Sequence, residues 1–456
     1  MYVRDTIAAV STPIGEGGIG VIRVSGPDAE RIASTVFRRK RDGGFLSHRF
    51  YYGNIVDPDS GVLLDEAMVV LMRSPNSYTR ENLLEVQCHG GYLLVQSVLA
   101  LIARLGARLA EPGEFTKRAF LNGRIDLVQA EAVIDIIRSK TDAALALSQH
   151  QREGALSLKL AAVREQISHA LALVEAHIDF PEEDIDLPAM EEIRYLVEPS
   201  LGEVNALLSG FTEGRVLREG VAVLIAGKPN VGKSSLLNTL LREKRAIVTS
   251  LPGTTRDIIE EVVNMGGLPV KLLDTAGVRL SDDIVEREGV RLTLERIPLA
   301  DLVLFMVDSS RPFDEDDRMI LEALSSSRVI VVRNKVDLPD VLEYPDASFS
   351  GDRISISTLT GDGIDGLRRM IRDAFLHGQA IDGREYVALS LTRHRDVLCR
   401  VKKSLDEFLS HLASGLELPL LSCELREALT SLGEVTGETT SDDVLDLIFS
   451  RFCIGK

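Results

Sequence analysis

Apolar positions change their spacing along this chain, and the changes divide it. In residues 1–118, short β-like runs (Ile19 to Val24, Glu66 to Leu71, Leu83 to Gln87) mix with helical stretches (Pro27 to Val36, Tyr92 to Leu105), the pattern of an α+β domain. From 119 to 216 the period lengthens. Leu156, Leu160, Val163, Ile167, Leu171, Val174 and Ile178 make one apolar stripe on a long helix, and Ile193, Leu196, Val197, Leu201, Val204 and Leu208 make the next. Between them Phe180 to Pro188 holds two prolines and a cluster of acids, which reads as an interhelix loop. Residues 217–378 switch to short apolar strands: Val221 to Ala226, Pro269 to Leu273, Leu302 to Val307, Val329 to Val332 and Arg353 to Ile356. Helical spacing returns over 379–456 in Val397, Val401, Leu405, Phe408 and Leu412, then in Leu421, Leu425, Leu429 and Leu432. Val444, Leu447, Ile448 and Phe452 carry it almost to the end. Helices on both sides of an α/β segment, each with a stripe to bury, most simply pack on one another. The expected fold is multidomain α/β, with a phosphate-loop domain of Ras-like α/β type inserted in a helical domain, behind an α+β N-terminal domain.

The inserted segment carries its own chemistry. Gly227-Lys228-Pro229-Asn230-Val231-Gly232-Lys233-Ser234 fits G-x-x-x-x-G-K-[ST], between an apolar strand and the start of a helix. Glycines let the backbone N–H groups converge on phosphate oxygens, and the helix N-terminus adds partial positive charge. Lys233 is placed to reach the outer phosphates and Ser234 to ligate magnesium. The second strand ends in Asp274-Thr275-Ala276-Gly277, where an aspartate holds magnesium through water and Gly277 offers its N–H to the terminal phosphate. The fourth runs into Asn334-Lys335-Val336-Asp337. There the Asp337 carboxylate suits guanine N1 and N2, and adenine has no such donor pair, so GTP is expected rather than ATP. Ser357-Thr358-Leu359 would close over the base.

Turnover needs more than binding. The position after D-x-x-G is Val278, which can neither donate nor accept a hydrogen bond to the attacking water. Gly253-Thr254-Thr255-Arg256-Asp257 supplies a loop with a threonine hydroxyl for magnesium. Asn230 either makes a local turn contact or offers its oxygen to a monovalent cation. Asp282, Asp283, Glu286 and Glu288 all stand where they could hold water.

Composition narrows the setting. A chain of 456 residues is too long for one core. Hydrophobic content of 45% and charged content of 27% are those of an ordinary globular protein. No apolar run approaches the ~20 residues of a membrane span, and Met1 to Asp5 opens no signal peptide, so a cytoplasmic protein is expected. A net charge of −17 argues against broad nonspecific nucleic-acid binding. RNA would need a local patch, and Arg38-Arg39-Lys40-Arg41 and Arg393-His394-Arg395 are candidates, with a solvated surface as the plainer reading of each. Cys88, Cys399, Cys423 and Cys453 lie too far apart in sequence to suggest a disulfide framework or zinc site. The terminal Cys453-Ile454-Gly455-Lys456 does not suit prenylation, given its glycine and lysine. Gly15-Glu16-Gly17-Gly18-Ile19-Gly20 spells G-x-G-x-x-G but feeds a strand, so a glycine-rich turn is expected rather than a dinucleotide site.

The whole chain resembles the MnmE (TrmE) family of tRNA-modifying GTPases. The match runs through Asp5-Thr6-Ile7-Ala8-Ala9, Gly17-Gly18-Ile19-Gly20 with Arg23, and Ser74-Pro75-Asn76-Ser77-Tyr78-Thr79. It continues in His89-Gly90-Gly91, Pro112-Gly113-Glu114-Phe115-Thr116, Arg118-Ala119-Phe120-Leu121-Asn122-Gly123, the Gly253 to Asp257 loop and Phe452 to Lys456. The resemblance implies an N-terminal domain (1–118) that forms a homodimer and binds 5-formyltetrahydrofolate or another tetrahydrofolate derivative. It implies a helical domain built from 119–216 and 379–456, and a GTPase domain over 217–378. It implies a flavoprotein partner, MnmG (GidA), with which the family installs an aminomethyl or carboxymethylaminomethyl group at carbon 5 of the tRNA wobble uridine, the folate supplying one carbon. By the same resemblance potassium (K+) is ligated by Asn230 and the carbonyls of Thr249, Leu251 and Thr254, and magnesium (Mg2+) by Ser234 and Thr255. Glu286 positions water, Arg23, Glu85, Arg124 and Lys456 contact folate, and Cys453 serves the modification chemistry. The residues expected to contact GTP are Asn230, Val231, Gly232, Lys233, Ser234, Ser235, Thr249, Ser250, Thr254, Thr255, Asp274, Thr275, Ala276, Gly277, Asn334, Lys335, Asp337, Ser357 and Thr358. Thr358 stands where the family more often has alanine. The alternative is a ribosome-assembly GTPase, an RNA-binding switch without modification chemistry, but no separate basic RNA-binding module is evident.

Overall fold

The computed structural model describes residues 4–13, 15–39, 43–179, 190–243, 261–273, 297–343, 351–376, 387–415 and 417–456. The N-terminal part is a seven-stranded sheet: β1 (Ile7–Val10), β2 (Gly17–Ser25), β3 (Phe37–Arg38), β4 (Arg49–Val56), β5 (Leu63–Met72), β6 (Leu83–Gly90) and β7 (Arg108–Leu109), in the order β3-β4-β5-β6-β2-β1-β7. Helices α1 (Ala29–Val36) and α2 (Tyr92–Arg104) cover one face, where Ile22, Val24, Leu84 and Val86 meet Ile32, Val36, Val95 and Val98. The strand period of two sends Arg23 and Glu85, directly opposite each other across β2 and β6, to the other face. The glycine-rich segment enters β2 and opens no helix. A Cβ on Gly20 would lie 2.4 Å from the Val95 side chain, so this glycine lets α2 approach the sheet.

Helices follow: α3 (Glu114–Leu121), α4 (Leu127–Arg138), α5 (Asp142–Arg152), α6 (Ala155–Asp179), α7 (Met190–Ser209) and α8 (Phe211–Glu219). The stripe on α6 is buried, and Leu160, Val163 and Ile167 share a core with Val401, Leu405, Leu425 and Leu432. Those last four belong to α12 (Thr392–Ser414) and α13 (Leu418–Thr436), on the far side of the inserted domain; α14 (Asp442–Phe449) closes the chain. Helices separated by the whole nucleotide-binding segment therefore form one core.

The insertion is a six-stranded sheet of β8 (Val221–Ala226), β9 (Glu261–Met265), β10 (Leu268–Leu273), β11 (Leu302–Asp308), β12 (Val329–Asn334) and β13 (Asp352–Ser355), with helices α9 (Lys233–Glu243), α10 (Glu315–Ala323) and α11 (Ile364–Asp373). The order is β13-β12-β11-β8-β10-β9, parallel except for the β9 edge. Apolar spacing alone did not reveal β9. Gly266 and Gly267, at φ of 61° and 97°, join it to β10 as a two-residue hairpin, and that turn chemistry was the available signal. Among the described residues no helix is long and apolar enough to cross a membrane.

Candidate functional site

The phosphate loop leaves β8 through Gly227, at φ 147°, where a Cβ would lie 2.4 Å from the Met306 carbonyl oxygen of β11. Gly232, at φ 104°, is tighter: its Cβ would lie 2.2 Å from Asn334 Nδ2. Only glycine lets the loop curl against its neighbours at these two points. Asn230 also sits in the left-handed region, at φ 64°, with its side chain exposed. Lys233 opens α9, and its Nζ donates to the carbonyls of Gly227 (2.8 Å) and Lys228 (2.7 Å). Burial lowers its pKa, and the ammonium rests on those two carbonyls at the N-terminus of α9. Val231 is buried, while Ser234 and Ser235 are exposed on the first turn of α9.

The residues expected to read the base stand at the ends of β12 and β13. Asn334 is fully buried; its Nδ2 donates to the Val231 carbonyl (2.8 Å) and to Thr358 Oγ1 (3.3 Å), and its Oδ1 accepts from the Thr358 N–H (3.1 Å). Asn334 thus ties the phosphate loop to the loop expected to close over the base. Asp337 is exposed rather than buried, and Ser357 Oγ donates to its Oδ1, which fixes the carboxylate. Lys335, at φ 64°, pairs its Nζ with Asp308 Oδ2 at 2.6 Å. Burial alone would raise the Asp308 carboxyl, but hydrogen bonds from Lys335 and Ser310 hold it below the usual carboxylate range. Asp308 was not singled out in sequence, although its place at the end of a fully buried strand was a signal. Lys228 was likewise missed as a tether: it pairs with Asp314 (2.6 Å) and Asp317 (2.7 Å) at the start of α10.

The remaining nucleotide-domain candidates lie outside the described residues: Thr249, Ser250, Leu251, Thr254, Thr255, Asp274, Thr275, Ala276, Gly277 and Glu286, together with Val278, Asp282, Asp283 and Glu288.

A second constellation gathers around the chain end, which is docked rather than frayed. Phe449 and Phe452 pack against Leu127, Ala130 and Ile134 of α4. Gly455 then lies on β1 at φ 88°, where a Cβ would be 2.4 Å from the Val10 carbonyl oxygen. Its own carbonyl accepts from Ser11 Oγ (3.2 Å) and Arg23 Nη1 (3.3 Å), and the Lys456 carbonyl accepts from the Phe115 N–H (3.1 Å). Arg23 also donates Nε (3.0 Å) and Nη2 (2.7 Å) to Glu85 Oε1, and its guanidinium lies 5.5 Å from the Tyr78 ring centre. Arg124 stacks on the same ring at 4.7 Å and donates Nη1 to the Tyr78 carbonyl at 3.1 Å. Burial, and then the charge of Arg23, lower the Lys456 pKa, partly offset by Glu85 and Cys453. Arg23, Glu85, Arg124, Cys453 and Lys456 are therefore assembled at one place from four separate stretches of chain. The Cys453 side chain is exposed there.

Of the two basic clusters, the one at Arg393 is corrected. Arg393 and His394 turn inward onto Glu131, and Arg395 pairs with Asp396 and stacks on Phe211, so none of the three is a free cation for phosphate. In the other cluster Arg38 is exposed and Arg39 stacks on Phe45 (5.1 Å) and Tyr51 (4.8 Å); Lys40 and Arg41 lie outside the described residues.

Comparison with known proteins places these parts together. Residues 6–124 match the family model described as "GTP-binding protein TrmE N-terminus", and residues 127–453 match that of the MnmE helical domain. The chain is 65% identical over 456 residues to the tRNA modification GTPase MnmE of Geobacter sulfurreducens, covering 100% of both chains. It is 46% identical over 461 residues to the protein of the same name from Carboxydothermus hydrogenoformans, again over 100% of both.

Proposed function

The chain belongs to the MnmE (TrmE) family of tRNA modification GTPases, and from that premise we propose that its GTP hydrolysis serves modification at carbon 5 of the tRNA wobble uridine. The observation that carries this reading is the docking of the Cys453–Lys456 tail beside Arg23 and Glu85, because a nucleotide switch alone has no use for such a site. Three cations and one carboxylate on one face suit the glutamate carboxylates and polar pterin edge of a tetrahydrofolate, 5-formyltetrahydrofolate included. Burial first, and then the charge of Arg23, lower the proton affinity of Lys456, and an anionic ligand would favour its charged form. When bound, the folate would supply the one-carbon unit. Arg23, Arg124 and Lys456 would hold its anionic end, Glu85 would accept from its N–H groups, and Cys453 would face the reacting atoms. Family membership supports a homodimer, a flavoprotein partner of the MnmG (GidA) kind, and a cytoplasmic setting.

In the nucleotide domain Lys233 would neutralise the outer phosphates, Asp337 would read guanine, and the exposed Ser234 hydroxyl would ligate magnesium with Thr255. The family reading adds potassium at Asn230, Thr249, Leu251 and Thr254, and a water-positioning role for Glu286. The deciding experiment counts modified wobble uridine in tRNA from a strain lacking this gene, with and without a copy restored. Loss on deletion and recovery on restoration are expected. Normal modification in the deletion strain would overturn the reading in favour of a GTPase that acts on ribosome assembly or on protein partners.

A further inference from the structure

Helix α4 begins at a capping box of Asp126 and Gln129, and it is packed on two adjoining faces at once. Glu131 and Asp135, four residues apart, share one face. Glu131 accepts from Arg393 Nε (3.1 Å), Arg393 Nη2 (2.8 Å) and His394 Nε2 (2.8 Å). Asp135 accepts from Arg218 Nε at 2.8 Å. Leu127, Ala130 and Ile134 occupy the adjoining face, against Leu445, Phe449 and Phe452. Arg138 at the helix end donates Nη2 to the Arg451 carbonyl at 2.8 Å.

The partners of the acidic face are the two places where the chain enters and leaves the nucleotide domain. Arg218 is in the last turn of α8, three residues before β8 begins at Val221. Arg393 and His394 open α12, the first helix after that domain among the described residues. The two connections lie side by side, since a Cβ on Gly214 of α8 would be 2.1 Å from the Leu389 carbonyl oxygen of the returning segment. Gln151 of α5 adds a hydrogen bond from Nε2 to the Ala388 carbonyl at 3.0 Å. A merely structural seam here would be served as well by apolar residues, because burying charges costs desolvation that well-packed hydrocarbon avoids. Buried ion pairs instead hold one geometry and lose much when a partner shifts, the behaviour of an element with discrete arrangements.

We propose that α4 couples the nucleotide domain to the C-terminal tail: Glu131 and Asp135 hold both connections to that domain, and Leu127, Ala130, Ile134 and Arg138 hold the segment that carries Cys453 and Lys456. These are positioning residues. A displacement of either connection on nucleotide binding reaches the tail through one rigid helix, with no contact between GTP and the tail site. The inference rests on the reading of the inserted domain as a GTPase and names how its cycle is delivered.

The test follows the tail directly. In the full chain carrying Cys399→Ser and Cys423→Ser, Cys453 is the exposed thiol, since Cys88 is buried and its pKa is pushed up to about 11 by burial first and by Asp65 second. Alkylation of Cys453 is timed without nucleotide and with a nonhydrolysable GTP analogue. The rates are expected to differ by about fivefold or more, the lower range of measured couplings. Adding Glu131→Gln and Asp135→Asn is expected to bring their ratio close to one while analogue affinity changes by less than about twofold, since the coupling and not the binding site is removed. Arg138→Ala, an exposed change that removes the link to Arg451, is expected to reduce the ratio in a chain that keeps the buried pairs of Glu131 and Asp135. Equal rates with the analogue bound, or a ratio that survives both sets of substitutions, would overturn the inference alone. A chain that does not bind the analogue would overturn it together with the GTPase reading.

Discussion

The side-chain amide of Asn334 donates to the main-chain carbonyl of Val231 at 2.8 Å, so the end of β12 and the phosphate loop are held together by one buried residue. Asn334→Ala would strip partners from the Val231 carbonyl and the Thr358 N–H, and an unsatisfied buried group costs about 1–3 kcal/mol. GTP affinity is expected to fall about tenfold or more, each tenfold being about 1.4 kcal/mol, with an earlier melting of the nucleotide domain. Nucleotide titration and calorimetry check this. Unchanged affinity would mean the two loops are set independently of Asn334.

Asp337 is fixed by Ser357 and otherwise open to a ligand. Asp337→Asn should lose GTP and gain xanthosine triphosphate, whose base presents an acceptor where guanine has a donor. Competition binding with the two nucleotides decides it. A variant that keeps its GTP affinity would take Asp337 out of the site.

Gly455 is the pivot of the tail. Gly455→Ala places a methyl 2.4 Å from the Val10 carbonyl oxygen and forces alanine to a φ of 88°. Neither is tolerable, so the last two residues should leave the sheet. Wobble-uridine modification should be abolished and tetrahydrofolate binding weakened, while GTP hydrolysis without other partners stays within about twofold because the phosphate loop is untouched. Normal modification by this variant would show that the docked position of Lys456 is not required.

Glu131 yields a pH prediction. Burial by itself would raise its pKa, but the charges and hydrogen bonds of His394 and Arg393 dominate and hold it at about 2. A carboxylate lowered in the folded state adds stability that is fully present above its unfolded pKa of about 4.3. That stability should drain away as pH falls from there towards about 2, the folded value. Denaturant unfolding of the helical domain between these pH values should steepen by at most about 1.4 kcal/mol per pH unit from this group. Glu131→Gln should remove that slope. An identical slope in the variant would assign the acid sensitivity to other carboxylates.

Turnover should depend on the monovalent cation, because Val278 cannot orient water and Asn230 stands exposed in the phosphate loop. Hydrolysis is expected to be much faster in potassium than in sodium at equal ionic strength, and Asn230→Ala should lose the difference. Glu286→Ala should lower kcat by about a hundredfold, or about 2.7 kcal/mol, with nucleotide affinity nearly intact. Near-normal turnover would move the role to Asp282, Asp283 or Glu288.

The amino-acid sequence alone determined the inserted nucleotide domain and its helical host. Strand and helix periods are local properties: the run Val221 to Ala226 and the stripe from Leu156 to Ile178 report burial residue by residue, whatever buries them. The phosphate loop was legible for the same reason, since its glycines, Lys233 and Ser234 act within eight consecutive positions.

What a side chain is buried against is a different matter. The run Arg393-His394-Arg395 read as a basic patch until the fold brought Glu131 to it from 262 residues away in the chain. Gly455 read as one more residue of a terminal tail until it met Ser11 across 444 residues. Charge sign and residue type are written locally, but pairing is decided by which surfaces the chain closes together. The family resemblance implied that Arg23, Glu85, Arg124 and Lys456 meet at one ligand, and only the tertiary structure decided the contacts that bring them there, Arg23 on Glu85 and on the Gly455 carbonyl.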